Sequence, residues 1–297
     1  MTDDALKTLL KTVSPPSFPG SRQREIGEKV FFPLSLLKPD ASGWRMFDPV
    51  RRTRDVAGML RHAIANVSRR QGWSEEKINQ IVHGKTPDGK TPISGNAESN
   101  RLSYLPLPTL QANDHSVHAI RRVLVCAPPS LAREIQELRK WLPGQSLIEE
   151  QGEDVALLNL LVTSDSILKC YVTTAKAWTT VTPVILPGHD DMKKASKDGY
   201  RDRLLQKETK IESLVRKAFR YAGFPDSLME KAKLEWNKTG FIKGCEHASR
   251  YLPPDNLNNA PRYHVRVIFP DPVPGPIAVG SGRFRGFGLF VHQDQDS

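Results

Sequence analysis

The sequence predicts an α+β protein made of two small units. Apolar residues recur at three- and four-residue steps over residues 51–70, which is the period of an amphipathic helix. Residues 263–269 place Val265, Val267 and Phe269 on one face of an extended chain, which indicates a strand. A length of 297 residues suits one large domain or two compact ones.

The first unit is expected to span residues 46–160. Residues 1–45 contain too many Pro, Gly and Ser residues to form an autonomous domain, so we interpret them as a connecting segment. After the helix at 51–70, the pattern predicts a short helix at 74–83 and a long loop at 83–113. A strand follows at 120–126, and Pro128 and Pro129 end it before a helix that runs to Leu142.

The second unit is expected to span residues 161–297. Residues 167–174 and 178–186 are rich in β-branched and aromatic residues, so they predict two strands. A charged stretch at 193–210 leads into an apolar helical stripe that ends at Gly223, and residues 225–236 suggest another helix. The strand at 263–269, a glycine-rich loop and a final strand at 289–291 complete the unit.

The charge balance indicates an anionic partner. Lys and Arg number 43 against 33 Asp and Glu, which gives a net charge of +10 and a pI near 9.5. Nucleic acid is the first candidate for such a partner, and a merely basic soluble protein is the alternative.

Several other classes of protein are excluded by the sequence. It has no apolar run of about 18 residues to span a membrane, and its acidic start does not resemble a secretory signal. The three cysteines, Cys126, Cys170 and Cys245, are far apart, which excludes a disulfide framework and a paired-cysteine zinc site. These features favour a location in a reducing cytoplasm.

The helix at 51–70 carries a cationic stripe opposite its apolar face. The stripe contains Arg54, Arg61, His62 and Arg69, which share one side of the helix at about 100° per residue. An ordinary solvated face is one interpretation. The other is a surface that follows phosphates, because arginine can bind phosphate oxygens bidentately.

The C-terminal loop has a composition that suits close approach to a phosphate. It reads Gly280-Ser-Gly282-Arg283-Phe-Arg285-Gly286-Phe-Gly288. Glycines allow the backbone to approach a ligand, and successive N–H groups can bind an anion. No Gly-Lys-Ser/Thr follows and the loop leads into a strand, so it is neither a P-loop nor a dinucleotide fingerprint. A plain glycine-rich hairpin is the alternative.

The order of several motifs resembles a known family. The loop resembles the glycine-rich loop of the RAMP superfamily of CRISPR RNA-binding proteins. The chain is most similar to the type I-G (formerly I-U) CRISPR subunit, which fuses a crRNA 5′-handle-binding module to a repeat-processing endoribonuclease module. The matching stretches are 262–283, 286–290, 178–186, 84–90, 104–108 and 120–125, and in chain order they cover residues 51–291.

This resemblance implies a fold, an activity and partners. The implied fold is a tandem of ferredoxin-like (RRM-like) domains of RAMP type with a C-terminal glycine-rich loop. The implied activity is cleavage of CRISPR repeat RNA without metal or other cofactor, through attack of a ribose 2′-OH on the adjacent phosphate. The implied partners are the repeat hairpin, the crRNA and other subunits of a type I surveillance complex. The family's handle-binding module would be absent here or reduced to residues 1–45.

Two alternatives stay open beside this function. One is a non-catalytic subunit of the surveillance complex that caps a crRNA end. The other is a basic module that binds protein, for which RNA binding would show little salt dependence.

Cleavage of this kind needs proton transfer and positive charge, which select the candidate residues. Histidine suits proton transfer because its pKa lies near 7, and Arg suits the phosphorane charge. His62 is the first catalytic candidate, because the resemblance places a catalytic histidine in its helix; His115, His118 and His264 follow. Phe284 and Phe287 could stack on unpaired bases or pack against the sheet. The candidate RNA-binding residues are Arg54, Arg61, Arg69, Arg262, Arg266, Gly280, Gly282, Arg283, Arg285, Gly286, Gly288, Phe284 and Phe287.

Overall fold

A computed structural model of the protein describes residues 28–93, 100–189 and 200–293. Most of the predicted connecting segment and the first part of the charged stretch at 193–210 lie outside these residues. The described chain forms two five-stranded antiparallel sheets, each covered by helices.

The first unit has a ferredoxin-like order of elements, β-α-β-β-α-β. Its elements are β1 (Val30–Leu37), α1 (Pro49–Arg70), α2 (Glu75–Lys77) with a π-helical extension (Ile78–His83), β2 (Ser103–Leu110), β3 (Val117–Ala127), α3 (Ala132–Trp141), β4 (Ser146–Ile148) and β5 (Asp154–Leu160). The sheet order is β2-β3-β1-β5-β4, with β1 antiparallel to both neighbours. Leu34 of β1 pairs with Val123 on one side and Leu160 on the other.

The position of β1 corrects one predicted boundary. Because β1 lies at the centre of the first sheet, residues 30–45 belong to the first unit and do not merely connect to it. The strand was missed because its Val-Phe-Phe-Pro-Leu run lies among Pro and Ser residues that are typical of loops.

The second unit repeats the ferredoxin-like strand order with one helix replaced. It contains α4 (Ser166–Val172), β6 (Thr174–Thr180), β7 (Val184–Ile185), α5 (Tyr200–Tyr221), α6 (Asp226–Lys231), β8 (Lys233–Asn237), β9 (Arg262–Pro274) and β10 (Phe290–His292). The main strands follow the order β8-β9-β6-β10, and β7 pairs with the start of β9. The glycine-rich loop (residues 280–288), with a 3₁₀ turn at Arg283–Arg285, stands where the second helix would be.

The boundaries of α1 follow from its first and last residues. The Asp48 carboxylate accepts hydrogen bonds from the backbone N–H of Val50 (2.7 Å) and Arg51 (3.3 Å), and Pro49 occupies the first turn. The predicted apolar stripe of α1 is buried, and basic Arg69 and Arg70 end the helix where its dipole is negative.

A shared apolar cluster joins the two units. Leu105, Leu107 and Leu124 of the first sheet pack with Tyr171 and Leu289 of the second unit. The buried Tyr171 hydroxyl donates to the Pro108 carbonyl at 2.5 Å. A largely buried Arg122–Asp165 ion pair (2.7 Å) lies beside this cluster and also crosses between the units. These contacts fix the surfaces that meet between the units.

Three predicted elements differ from the structure. Residues 167–174 were expected as a strand, but Asp165 caps the N-terminus of a helix there by accepting from Leu168 N–H (2.9 Å). The predicted loop at 83–113 contains β2, an edge strand in which Pro106 and Pro108 are tolerated because an edge needs fewer N–H donors. The predicted helix at 225–236 ends at Lys231, and β8 follows it.

No helix among residues 28–93, 100–189 and 200–293 is both long enough and apolar enough to cross a membrane.

Gly58 and Gly286 form a matched pair for testing how glycines contribute to this fold. Gly58 lies inside α1 with open space around a built Cβ, so Gly58→Ala should stabilise the protein by roughly 0.5–1 kcal/mol. Gly286 has φ +80°, and a Cβ would lie 2.5 Å from Pro106 Cδ, so Gly286→Ala should destabilise it by more than about 1 kcal/mol. Chemical denaturation measures both. Equal effects of the two substitutions would contradict this account.

Candidate functional site

A cavity of about 750 Å³ lies where α1 of the first unit meets the glycine-rich loop of the second. We call it the α1 cavity. Its walls also include the turn after β4 and the 3₁₀ turn at Asp255–Leu257. The polar residues that line it are Arg52, Arg54, Asp55, Arg61, His62, Arg101, Tyr104, Glu149, Glu150, Gln151, Asp255 and Arg285.

His62 projects from α1 into the α1 cavity and is held by a neighbouring amide. Its Nε2 lies 2.9 Å from Asn66 Nδ2, one helical turn away, and Asn66 Oδ1 accepts from Arg69 at 3.3 Å. In this network Nε2 accepts from Asn66, so Nδ1 carries the proton of the neutral ring. The ring is exposed, so a substrate can reach it.

Arg61 and Arg285 bring two positive charges to the same cavity from different units. Burial lowers the pKa of the Arg285 guanidinium, and the nearby charge of Arg61 lowers it further, while Asp255 opposes this shift. Neither arginine forms a salt bridge with the residues that the structure describes. Two guanidiniums that repel each other in one cavity attract an anion to it, because an anion offsets the repulsion between them.

Other arginines of the α1 cavity are bound to carboxylates. Arg54 Nη1 lies 2.6 Å from Asp255 Oδ1, and Arg52 pairs with Asp55 at 3.0 Å and with Glu149. Arg54 was predicted to bind RNA. It lies in the cavity as the stripe on α1 implied, but an acidic residue of the second unit already binds its guanidinium.

Three other predicted arginines lie outside the α1 cavity. Arg69, at the end of α1, bonds Glu75 at 2.5 Å. Arg262 donates to the Tyr251 carbonyl (2.9 Å), and burial lowers the pKa of its guanidinium. Arg266 lies 3.5 Å from Glu235 on the neighbouring strand. Arg262 and Arg266 therefore lie on β9, as the alternating pattern predicted, but neither lines the α1 cavity with His62.

His264 is a structural side chain, which corrects its selection as a catalytic candidate. It has no exposed surface, and its two ring nitrogens contact Thr180 Oγ1 (3.3 Å) and the Glu246 carbonyl (3.0 Å). A buried ring with both nitrogens engaged cannot reach a substrate. Burial also lowers the pKa of His264 to about 4, so the ring is neutral near pH 7.

His115 and His118 are exposed, but His115 lies in the turn between β2 and β3 and His118 at the start of β3, and both are outside the α1 cavity. His115 occupies a positive-φ position of this turn (φ 51°). His118 Nε2 lies 3.0 Å from Ser116 Oγ, which in turn donates to Asp114 at 2.5 Å. The structure therefore brings only His62, of the four candidate histidines, to the α1 cavity.

The glycines of the loop are required by packing, which corrects the expectation that they open the backbone to a ligand. A Cβ at Gly286 would lie 2.5 Å from Pro106 Cδ and 3.1 Å from Thr53 Cγ2, both in the first unit. At Gly280, Gly282 and Gly288, a Cβ would approach atoms of the second unit to within 2.6 Å. Several backbone N–H groups of the loop, those of Ser281, Arg283, Arg285, Phe287 and Gly288, already donate to carbonyls of the chain, which leaves few of them for a phosphate.

The two phenylalanines of the loop are also buried, so neither is exposed to stack on a base as one interpretation held. Phe287 has no exposed surface and packs with Ile185 and Tyr251. Phe284 is 9 % exposed, and the guanidinium carbons of Arg101 and Arg283 each lie 4.4 Å from its ring centroid. Arg283 is itself buried and donates to the Gly280 carbonyl at 3.1 Å. Of the loop residues, only Arg285 lines the α1 cavity.

Sequence reasoning missed several residues at this site. Tyr104 is buried and donates to the Val82 carbonyl at 2.7 Å, and Arg101 donates to the His83 carbonyl at 3.1 Å. Burial, followed by the charges of Arg61 and Arg69, lowers the pKa of His83 to about 4. His83 ends the short π-helical extension of α2 and Arg101 lies in irregular chain before β2, and neither stretch is long enough for a periodic pattern to indicate what a side chain faces.

The described parts of the chain contain no group of three or more His, Cys, Asp or Glu side chains arranged to hold a metal ion.

Burial of neutral His264 predicts a pH dependence of stability. Its folded pKa of about 4 lies below the ordinary value of 6.5, so the unfolded chain binds the extra proton between these values. The stabilisation is therefore complete above about pH 6.5 and is lost as the pH falls towards 4. When the pH falls from 7.5 to 5, the free energy of unfolding should decrease for both proteins. The decrease for His264→Gln should be smaller than that for the unsubstituted protein by roughly 2 kcal/mol. Urea unfolding at both pH values measures this difference, and parallel losses would contradict it.

Comparison with known proteins gives one family and several solved structures. A sequence model described as "CRISPR-associated protein, GSU0054 family" matches residues 20–292. A crystal structure of Cas6b is 13 % identical, with a TM-score of 0.44 over 90 % of this chain and 100 % of that chain. A Cas6 product complex is 12 % identical, with a TM-score of 0.37 over 89 % and 98 % of the two chains. A Cas6-related protein from Pyrococcus furiosus is 10 % identical, with a TM-score of 0.38 over 91 % and 100 %.

No curated protein sequence matches the chain. The family match covers nearly all of the residues that the structure describes, including the α1 cavity and the glycine-rich loop. The chain therefore belongs to the GSU0054 family of CRISPR-associated proteins.

Proposed function

We propose that the protein is a CRISPR RNA-processing endoribonuclease that binds the repeat hairpin and cleaves it through attack of a ribose 2′-OH. The observation that carries this proposal is the placement of exposed His62 beside Arg61 and Arg285, which arrive from different units. Membership of a CRISPR-associated family supports it, and so does the net charge of +10. A nucleic acid supplies the anion that the two guanidiniums attract.

The α1 cavity contains residues for one proton transfer and for the phosphorane charge, and water takes part in the other proton transfer. The 2′-oxygen loses its proton and bonds to phosphorus, the bond from phosphorus to the 5′-oxygen breaks, and that oxygen gains a proton. The products carry a 2′,3′-cyclic phosphate and a 5′-hydroxyl. His62 is placed for one of the two proton transfers, and its Nε2 would exchange the Asn66 amide for the substrate. Arg61 and Arg285 are placed to stabilise the charge on the phosphorane.

The finer features of the proposal follow the sequence resemblance. We assign the chain to the RAMP superfamily and to the type I-G subunit group, with cleavage that requires no metal ion. The product crRNA stays bound, and the partners are other subunits of a type I surveillance complex in the cytoplasm. A non-catalytic crRNA-binding subunit is the second candidate. It is favoured by the presence of only His62, among the four candidate histidines, in the α1 cavity, because cleavage needs two proton transfers.

Replacing His62 separates cleavage from binding. His62→Ala should reduce the cleavage rate of repeat RNA by about 10²–10⁴-fold, because one proton transfer is lost, and should leave RNA affinity within about twofold. His118→Ala is the matched control, since it removes an exposed histidine outside the α1 cavity. Single-turnover cleavage in EDTA, resolved on a denaturing gel, measures the rates. Binding without cleavage by the unsubstituted protein would favour the non-catalytic candidate.

Replacing Arg285 tests the anion site. Arg285→Gln should weaken RNA binding and make the plot of log affinity against log salt shallower by about one unit, because one phosphate contact is lost. Arg266→Gln removes an arginine on β9 and should leave the slope unchanged. Fluorescence anisotropy at several salt concentrations gives both slopes. The same slope for all three proteins would remove Arg285 from the RNA site.

A further inference from the structure

A second cavity, of about 310 Å³, lies between the two units. We call it the rear cavity. It is lined by Glu28, Lys29, Arg101, Ser103, Leu105, Cys126, Pro128, Pro129, Tyr221, Ala222, Gly223, Pro276, Ala278, Arg283 and Phe284. We propose that the rear cavity binds one unpaired nucleotide of the same RNA strand that occupies the α1 cavity. This inference rests on the proposed function, because it extends the path of that RNA.

Arg101 connects the two cavities. It lines both of them, its Nη2 donates to the His83 carbonyl, and its guanidinium carbon lies 4.4 Å from the Phe284 centroid. The backbone bond and the ring contact hold the guanidinium at the boundary. A strand that leaves the α1 cavity would therefore meet a fixed positive charge at the entrance to the rear cavity. Arginine suits this place because it binds phosphate oxygens in a defined geometry.

The charge of the rear cavity favours a phosphodiester. Among the described residues that line it, Lys29, Arg101 and Arg283 are basic and Glu28 is acidic. Arg283 is only 7 % exposed, so its charge is poorly screened by water and acts strongly on a group inside the cavity.

The remaining walls suit a nucleobase. Tyr221 is 47 % exposed at the end of α5, which is a large exposed fraction for an aromatic side chain that lines a cavity. Pro128, Pro129 and Pro276 supply further flat apolar surface. Proteins that bind single-stranded RNA combine such surfaces with basic groups, since a base stacks on an aromatic ring while its phosphate meets a cation.

The size of the rear cavity restricts the occupant. A volume of about 310 Å³ is at the lower end of small-molecule pockets and accepts one base with its ribose, but not a paired duplex. The nucleotide must therefore come from an unpaired part of the RNA. Because the strand would enter past Arg101, the nucleotide lies next to the segment bound at His62, on one side of the repeat hairpin.

The test compares RNAs with different flanks. Fluorescence anisotropy would measure the affinity of the repeat hairpin alone, of the hairpin with three unpaired nucleotides on its 5′ or 3′ side, and of the same RNAs with abasic flanks. One flank should tighten binding at least about fivefold, and abasic residues should remove most of that gain. Tyr221→Ala should also remove it and leave the affinity for the hairpin alone unchanged.

Two further variants test whether the gain in affinity depends on the rear cavity itself. Leu205→Ala removes another exposed side chain of α5, outside the rear cavity, and should keep the full gain. Lys29→Gln should reduce the gain without changing the affinity for the hairpin alone. It gives an independent measurement if Tyr221→Ala lowers the thermal stability.

The outcomes distinguish this inference from the proposed function. Tight hairpin binding with no effect of either flank would overturn the rear-cavity site and leave the proposed function standing. A gain that survives in Tyr221→Ala and Lys29→Gln, or with abasic flanks, would also overturn the site. Failure of the unsubstituted protein to bind any of these RNAs would overturn both.

Discussion

The contact between Gly286 and Pro106 positions the site. Gly286 lies at φ +80°, and the absence of a side chain lets the loop of the second unit rest on β2 and α1 of the first. Thr182 Oγ1 donates to the Gly286 carbonyl at 2.7 Å and ties the same peptide to its own unit. Arg285 therefore reaches the α1 cavity, while Arg283, two residues earlier, reaches the rear cavity. A shift of this one contact would separate Arg285 from His62.

The electrostatics of the α1 cavity divide its arginines into two groups. Asp55, Glu149 and Asp255 bind Arg52 and Arg54, so these guanidiniums are already compensated in the free protein. Arg61 and Arg285 instead oppose each other across the boundary between the units, and the pKa of Arg285 falls for that reason as well as through burial. Binding an anion relieves this repulsion. If the protein binds RNA as proposed, the free energy gained would therefore come mainly from the second group, of which only Arg61 belongs to the cationic stripe on α1.

The sequence was sufficient where a single periodicity decides the structure. The apolar stripe of α1, the alternation in β9 and the placement of His62 opposite the buried face of α1 are all confirmed in the structure. The sequence was insufficient where a contact between distant parts of the chain determines the local structure. Alternation places His264 on the face of β9 opposite Val265, which suggested an exposed side chain. Glu246 and Tyr251 cover that face in the structure, and the local sequence pattern around His264 does not indicate this packing. Residues 167–174 have strand composition, yet the cap from Asp165 and the burial of Tyr171 between the units select a helix.

The glycine-rich loop shows why composition alone misleads about a binding site. Glycines that allow a ligand to approach and glycines that allow another part of the chain to approach have the same sequence signature, because both need the space of a missing Cβ. Here the approaching atoms belong to Pro106 and to neighbouring parts of the second unit, so packing within the protein accounts for these glycines without a ligand. In the proposed function the loop would act on RNA through the side chain of Arg285, and rigid packing fixes the backbone from which that side chain projects. A backbone fixed before binding loses little conformational entropy when the side chain meets a phosphate, which is the physical advantage of presenting an arginine from a buried loop instead of a mobile one.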